Sequence, residues 1–208
     1  DAANTLRRSI TMEMLADGQV DEAGQAAIEA NRLSPDLIPA AAMAARAHIR
    51  GGNKRKATSI LRKTWGVTPH PDFAAAVAEI EPDEQPAARL KRFGNLFKLP
   101  PDHRETKLVE AELQISGEDF PAARRAVSKL VQEEPDARSL TIMAAIERGE
   151  GASDAVVKGW LARAVTAPRG PQWVCDVCQH KSAEWSAICE NCGNFEYLSG
   201  RTHQESDV

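Results

Sequence analysis

The sequence predicts an all-α chain, an αα-solenoid of short helix pairs, that ends in a small module cross-linked through four cysteines. Three observations carry this expectation. Prolines recur at Pro35, Pro69, Pro101, Pro135 and Pro168, at intervals of 34, 32, 34 and 33 residues. Glycines fall on an offset register, with Gly18 and Gly52 34 residues apart and Gly117 and Gly151 again 34 apart. All four cysteines stand in two C-x-x-C pairs, ten residues apart, within WVCDVCQHKSAEWSAICENCGNFEY, Trp173 to Tyr197.

Proline cannot continue a helix and glycine releases the chain into a tight turn, so the two registers mark the ends of alternate helices. Filling the intervals predicts helix pairs over residues 2–16 and 20–33, 36–50 and 54–65, 71–80 and 84–97, 103–116 and 119–133, and 136–148 and 153–166. Alanine runs such as AAAMAARA and an aromatic content of only 5% favour closely packed helices over sheets. The third unit, EPDEQPAARLKRFGNLFKLPP, lacks a turn glycine, so we expect the array to be least regular there. The expected domains are a helical repeat domain over 1–168, a cysteine module over 172–198 and a disordered tail over 199–208.

Beyond the hinge Pro168-Arg169-Gly170-Pro171 the aromatic residues Trp173, Trp185, Phe195 and Tyr197 gather and the helical pattern stops. A segment of about 30 residues cannot fold on its own buried surface and needs a cross-link or a metal. Cys175-x-x-Cys178 and Cys189-x-x-Cys192 each have the spacing at which a tight turn aims two sulfurs at one ion, and two such knuckles complete a tetrahedral Cys₄ shell of rubredoxin or zinc-ribbon type. Zn²⁺ in a closed structural site is the leading expectation. The same thiolates suit iron in a rubredoxin-like site, and disulfides or a thioredoxin-like pair remain open, although no βαβ unit accompanies the motif. Gly193 follows Cys192 where a knuckle turn favours positive φ, and Gln179 holds the corresponding place in the first knuckle. His180 is expected at the surface, outside the ligand set.

The formal net charge of −4 argues against a nucleic-acid partner. Basic clusters such as Lys54-Arg55-Lys56 and Arg89-Leu90-Lys91-Arg92 read as solvated helix faces. No apolar run approaches the roughly 20 residues that cross a bilayer. The chain starts without methionine inside an apparently helical pattern, so we expect it to be an excised soluble portion of a longer protein, with any membrane anchor upstream. There is no G-x-S-x-G elbow, P-loop, dinucleotide fingerprint or H-E-x-x-H, and His48, His70, His103 and His203 are scattered. A non-enzymatic scaffold is therefore expected. Four thiols kept reduced for a metal point to a cytoplasmic face.

The segment GQVDEAGQAAIEANRLSP, Gly18 to Pro35, resembles the second half of a tetratricopeptide repeat, with Gly18 at the turn, Ala23 and Ala30 at the small sites and Pro35 closing the unit. Ala45, Ala111 and Ala145 fall where that family has a small residue in the first helix. The resemblance implies a concave face lined by first helices, which by register includes Arg46, Ile49, Arg50, Phe73, Glu112 and Ile115, and a protein partner held there. Trp160, Trp173 and Trp185 are expected to form the seam between the last helix and the cysteine module.

A tetratricopeptide array ending in two such knuckles is similar to two bacterial families. One is lipopolysaccharide assembly protein B, with its rubredoxin-like module. The other is the alphaproteobacterial HemY family, which PRGPQWVC, the central AEW and CENCGNF resemble more closely. The HemY resemblance implies an anchor in the bacterial inner membrane, a soluble repeat domain on its cytoplasmic face and partners among haem-biosynthesis enzymes. It also implies that Cys175, Cys178, Cys189 and Cys192 are metal ligands. No haem-attachment C-x-x-C-H is present, because Gln179 and Gly193 follow the two pairs.

Overall fold

A computed structural model describes residues 20–33, 38–170, 172–182, 185, 189–194 and 198–201. The expected helix 2–16, the turn residue Gly18, Pro35, Phe195, Tyr197 and residues 202–208 lie outside these.

Nine helices are present among the described residues: α1 (Val20–Leu33), α2 (Ile38–Arg50), α3 (Lys54–Val67), α4 (Pro71–Ile80), α5 (Pro86–Phe93), α6 (Arg104–Ser116), α7 (Phe120–Glu133), α8 (Ala137–Gly149) and α9 (Asp154–Thr166). They match the expected segments closely, except that α5 is much shorter than 84–97. Gly94 ends it, and turns fill the chain to Pro101. Three strands follow, β1 (Gln172–Cys175), β2 (Lys181–Ser182) and β3 (Leu198–Arg201), in the antiparallel order β2-β1-β3. The expected tail from residue 199 is corrected: Ser199, Gly200 and Arg201 pair with Val174, Trp173 and Gln172. A strand of four residues is too short to leave a periodic signal in the sequence.

Local chemistry explains the helix starts. Asn53 caps α3 by accepting from the Lys56 N–H, and Asp119 caps α7 by accepting from the Ala122 N–H. Asp136 and Ser139 form a reciprocal capping box at α8. His70 and His103 cap α4 and α6 through Nδ1, which accepts the backbone N–H of Asp72 and Glu105.

The helices and strands form two compact units. One contains the described residues up to Pro82 together with Gln172–Arg201, and the other begins at Asp83 and runs to Pro171. The division falls within the irregular third unit, so α4 and α5, expected as a pair, belong to different bodies. In the first unit α1 packs on α2, α2 on α3, and α4 on both α2 and α3. Its core is dominated by alanine (Ala27, Ala30, Ala40, Ala41, Ala44, Ala45, Ala57, Ala76), with Leu61, Trp65 and Phe73 supplying bulk. A Cβ placed on Gly24 would lie 3.0 Å from the Ala47 Cβ, so α1 and α2 touch nearly backbone to backbone.

In the second unit α5 packs on α6, α6 on α7, α7 on α8 and α8 on α9, and α6 also meets α8. Leu108, Ala111, Val127, Leu140, Met143 and Ile146 centre its core, with Phe120, Trp160 and Ile115 packed at the edge.

Several features recur at an interval of 33 residues, one less than the glycine spacing suggested: Arg46 pairs with Glu79 and Glu105 with Arg138, each 33 residues apart. The caps His70, His103 and Asp136 share that interval, as do the left-handed residues Glu118 and Gly151. Gly117 ends α6 at a turn, as its register suggested, and the left-handed conformation falls on the next residue, Glu118, at φ 61°. One expectation is corrected by a one-residue slip, which turns a helix position by about 100°. Ala145 is exposed, and Ala144 is the buried small residue in α8.

Candidate metal centre

Two turns of the same construction bring the four cysteines together. In the first, the Gln179 N–H donates to the Cys175 carbonyl at 2.8 Å and the Cys175 N–H donates to the His180 carbonyl at 2.9 Å. In the second, the Gly193 N–H donates to the Cys189 carbonyl at 2.8 Å and the Cys189 N–H donates to the Asn194 carbonyl at 2.9 Å. The pivot of each turn is left-handed, Gln179 at φ 59° and Gly193 at φ 67°. A glutamine here carries a backbone cost of about 1 kcal/mol that glycine does not. The Gln179 side chain stays local by donating to the Asp176 carbonyl at 3.2 Å.

The four Sγ atoms all lie within 4.8 Å of one another. Cys175 and Cys192 are 3.8 Å apart and Cys178 and Cys189 3.6 Å apart, with all four thiols free of disulfides. A metal–sulfur bond of about 2.3 Å in a tetrahedron sets sulfur–sulfur edges of about 3.8 Å. The observed separations therefore fit one ion at the centre of the cluster. Cys175 and Cys189 are buried, which places half of the shell out of water.

Hydrogen bonds distribute negative charge unevenly over the sulfurs. The Asn191 side chain and the His180 backbone N–H hold the Cys178 thiol down at about 6. The Asn194 side chain, 3.4 Å from Cys192 Sγ, and its backbone N–H lower the Cys192 thiol. The Cys192 N–H favours the Cys189 thiolate, but burial and the neighbouring Cys178 and Cys192 sulfurs carry that thiol up to about 11. Some of the thiols are thus ready as thiolates near neutrality, and a cation that accepts all four would relieve the crowding. His180 takes part through its backbone and is not a member of the cluster. Asn191 and Asn194 were not singled out from the sequence; their only signal was an amide-bearing residue next to, or two beyond, a ligand cysteine.

The module lies in the first unit through Trp173, Val174 and Cys175, all buried. The Trp173 ring sits 5.9 Å from the ring of His70, which in turn meets Phe73 edge to face at 6.1 Å. Trp160 packs on the core of the second unit and carries Arg163 4.6 Å above its ring, while Trp173 belongs with the cap of α4. Trp185 is half-buried.

The six residues expected on a concave face have separate fates. Phe73 is only 1% exposed and forms core, because the apolar stripe of α4 must face α2 and α3. Arg46 is bound to Glu79 at 2.9 Å, and Glu112 to Arg138 at 2.7 Å, so both serve contacts between helices. Ile115 packs against the aliphatic core of its unit. Ile49 is half-buried and Arg50 exposed. Arg138 also binds Glu105 at 2.9 Å; burial raises the Glu105 carboxyl, against the opposing pull of the Arg138 charge.

Among the described residues no helix is long and apolar enough to cross a membrane. The four-cysteine cluster on a mostly helical chain is what the molecule presents for comparison with known proteins, and neither a family model nor a curated protein matches it.

Proposed function

We propose that this chain is a non-enzymatic adaptor: a tetratricopeptide-like αα-solenoid that binds protein partners, stabilised by a structural Zn²⁺ held by Cys175, Cys178, Cys189 and Cys192. The observation that carries the reading is the closed four-sulfur geometry. Four thiolates at tetrahedral spacing saturate a zinc ion and leave no position for substrate or activated water. Support for the repeat reading comes from the contact of alternate helices, α2 with α4 and α6 with α8, and from the 33-residue ion pairs that link equivalent positions. On the HemY resemblance, the adaptor belongs to an inner-membrane-anchored protein, on the cytoplasmic face, and serves enzymes of haem synthesis.

Metal analysis after anaerobic purification tests the first half. One zinc per chain and a spectrum without thiolate-to-iron absorption is the expected result; one iron with charge-transfer bands would move the module to electron transfer or metal sensing. Crosslinking in membranes tests the second half, and capture of partners unrelated to haem synthesis would remove the HemY assignment.

A further inference from the structure

Helix α3 carries five cations, Lys54, Arg55, Lys56, Arg62 and Lys63, and no carboxylate, in a chain whose net charge is −4. Lys54 is bound to Glu81 at 2.8 Å. Arg55, Lys56, Arg62 and Lys63 are all exposed and make no ion pair among the described residues, whereas Arg46, Arg92, Arg104, Arg124 and Arg138 are each bound to a carboxylate. The opposite face of α3 is committed to the core through Ala57, Leu61, Thr64 and Trp65.

At about 100° per residue the four free cations form two rows. Arg55 and Arg62 stand on one line and Lys56 and Lys63 on a second, about 100° around the helix. Each row spans two turns, about 10 Å. Between them lie Ser59 and Gly66, both small and exposed, and a Cβ built on Gly66 meets nothing within 4 Å. The face is a shallow trough with positive walls and an uncharged floor.

We propose that this trough binds an extended acidic segment of a partner protein, which deepens the adaptor reading and rests on it. Successive side chains of an extended strand point to opposite sides, so a run of Asp and Glu laid along Ser59 and Gly66 presents carboxylates to both rows at once. A bilayer surface is less suited, since the apolar side of α3 is buried in the fold and cannot enter lipid. Single-stranded nucleic acid is less suited too, since no aromatic side chain stands in the trough to stack a base.

The test is an amide-resolved NMR titration of the intact metal-loaded protein with a ten-residue Glu/Asp-rich peptide at low salt. The expected result is shifts confined to residues 54–67, reversed by 0.5 M salt. Arg62→Gln with Lys63→Gln weakens binding by about two- to tenfold, two exposed ion pairs being lost. Gly66→Met fills the floor and weakens it comparably while favouring the helix itself. Lys129→Gln, on a different helix and 80% exposed, leaves it unchanged. Absence of shifts in α3, equal weakening by Lys129→Gln, or stronger binding to vesicles containing one third phosphatidylserine or to an oligothymidylate would overturn the proposal. None of these variants touches the cysteines, so their failure leaves the metal reading to its own test.

Discussion

Up to Pro82 most of the buried apolar residues are alanines, whereas from Asp83 to Pro171 most are leucine, isoleucine, valine and methionine. Each buried methylene contributes roughly 0.8 kcal/mol, so alanine helices gain close approach but little transfer energy. The first unit adds what it lacks from far along the chain: a four-sulfur module whose Trp173 lies against His70. The second unit has no such staple and relies on its aliphatic cluster, edged by the Arg138 bridge to Glu105 and Glu112. Similar helix pairs are thus held by different chemistry, and the two should fail under different insults.

The largest expected effect is metal removal. Chelation, or Cys189→Ser, should lower the stability of the first unit by several kcal/mol, since structural zinc sites in small folds contribute on the order of 10 kcal/mol. Hydrogen exchange should then rise in β1 and at the start of α4, with α6 to α8 unchanged. Equal loss of protection in both units would break the comparison and make them one cooperative body. The converse lesion is Leu140→Ala, a fully buried position at the centre of the second core. It should cost about 2–5 kcal/mol, read by thermal unfolding as an early transition that does not release the metal.

A smaller effect distinguishes the two knuckles. Gly193→Ala should cost about 1 kcal/mol through its left-handed backbone alone, because no atom crowds the site. Gln179→Gly should be neutral or slightly stabilising, the relieved backbone offsetting the lost bond to Asp176. Competition with a chromophoric zinc chelator measures both, and equal weakening would mean that the knuckles are not equivalent in strain.

The smallest concerns pH. Burial lowers the proton affinity of His103, and its Nδ1 must stay unprotonated to accept the Glu105 N–H. Because the folded state disfavours the proton, the cap is at full strength above the unfolded value near 6.5 and is lost as pH falls through the lower folded value. His103→Asn keeps a cap and should remove part of the pH dependence of the second unit below pH 6.5. His70, also lowered by burial with Asp72 opposing, should do the same for the first unit. If both substitutions leave the pH profile untouched, protonation elsewhere governs acid unfolding.

The helices and the four-cysteine cluster were legible because both are written in local patterns. Proline and glycine spacing located eight of the nine described helices to within two or three residues at either end, and C-x-x-C spacing picked out the four sulfurs that come together. Helix α5 was drawn too long because RFGNLFKLPP looks apolar and continuous, while Gly94 and the prolines stop it. The 33-residue interval was obscured by prolines spaced 32 to 34 apart, and it is clear only in the helix caps, the left-handed residues and pairs such as Arg46 with Glu79. Phe73 shows the limit for surfaces: its register suggested an open face, and only the packing of α4 on α2 and α3 made it core.

By itself, then, the order of residues determined the helical segments and the identity of the four sulfurs, because turn chemistry and cysteine spacing act over a few residues. Tertiary structure alone decided that the cysteine module joins the unit ending at Pro82, and that Arg46 and Glu112 hold helices together. Those outcomes depend on which surfaces meet across many tens of residues, where a change of one residue in period moves a side chain to another face of its helix.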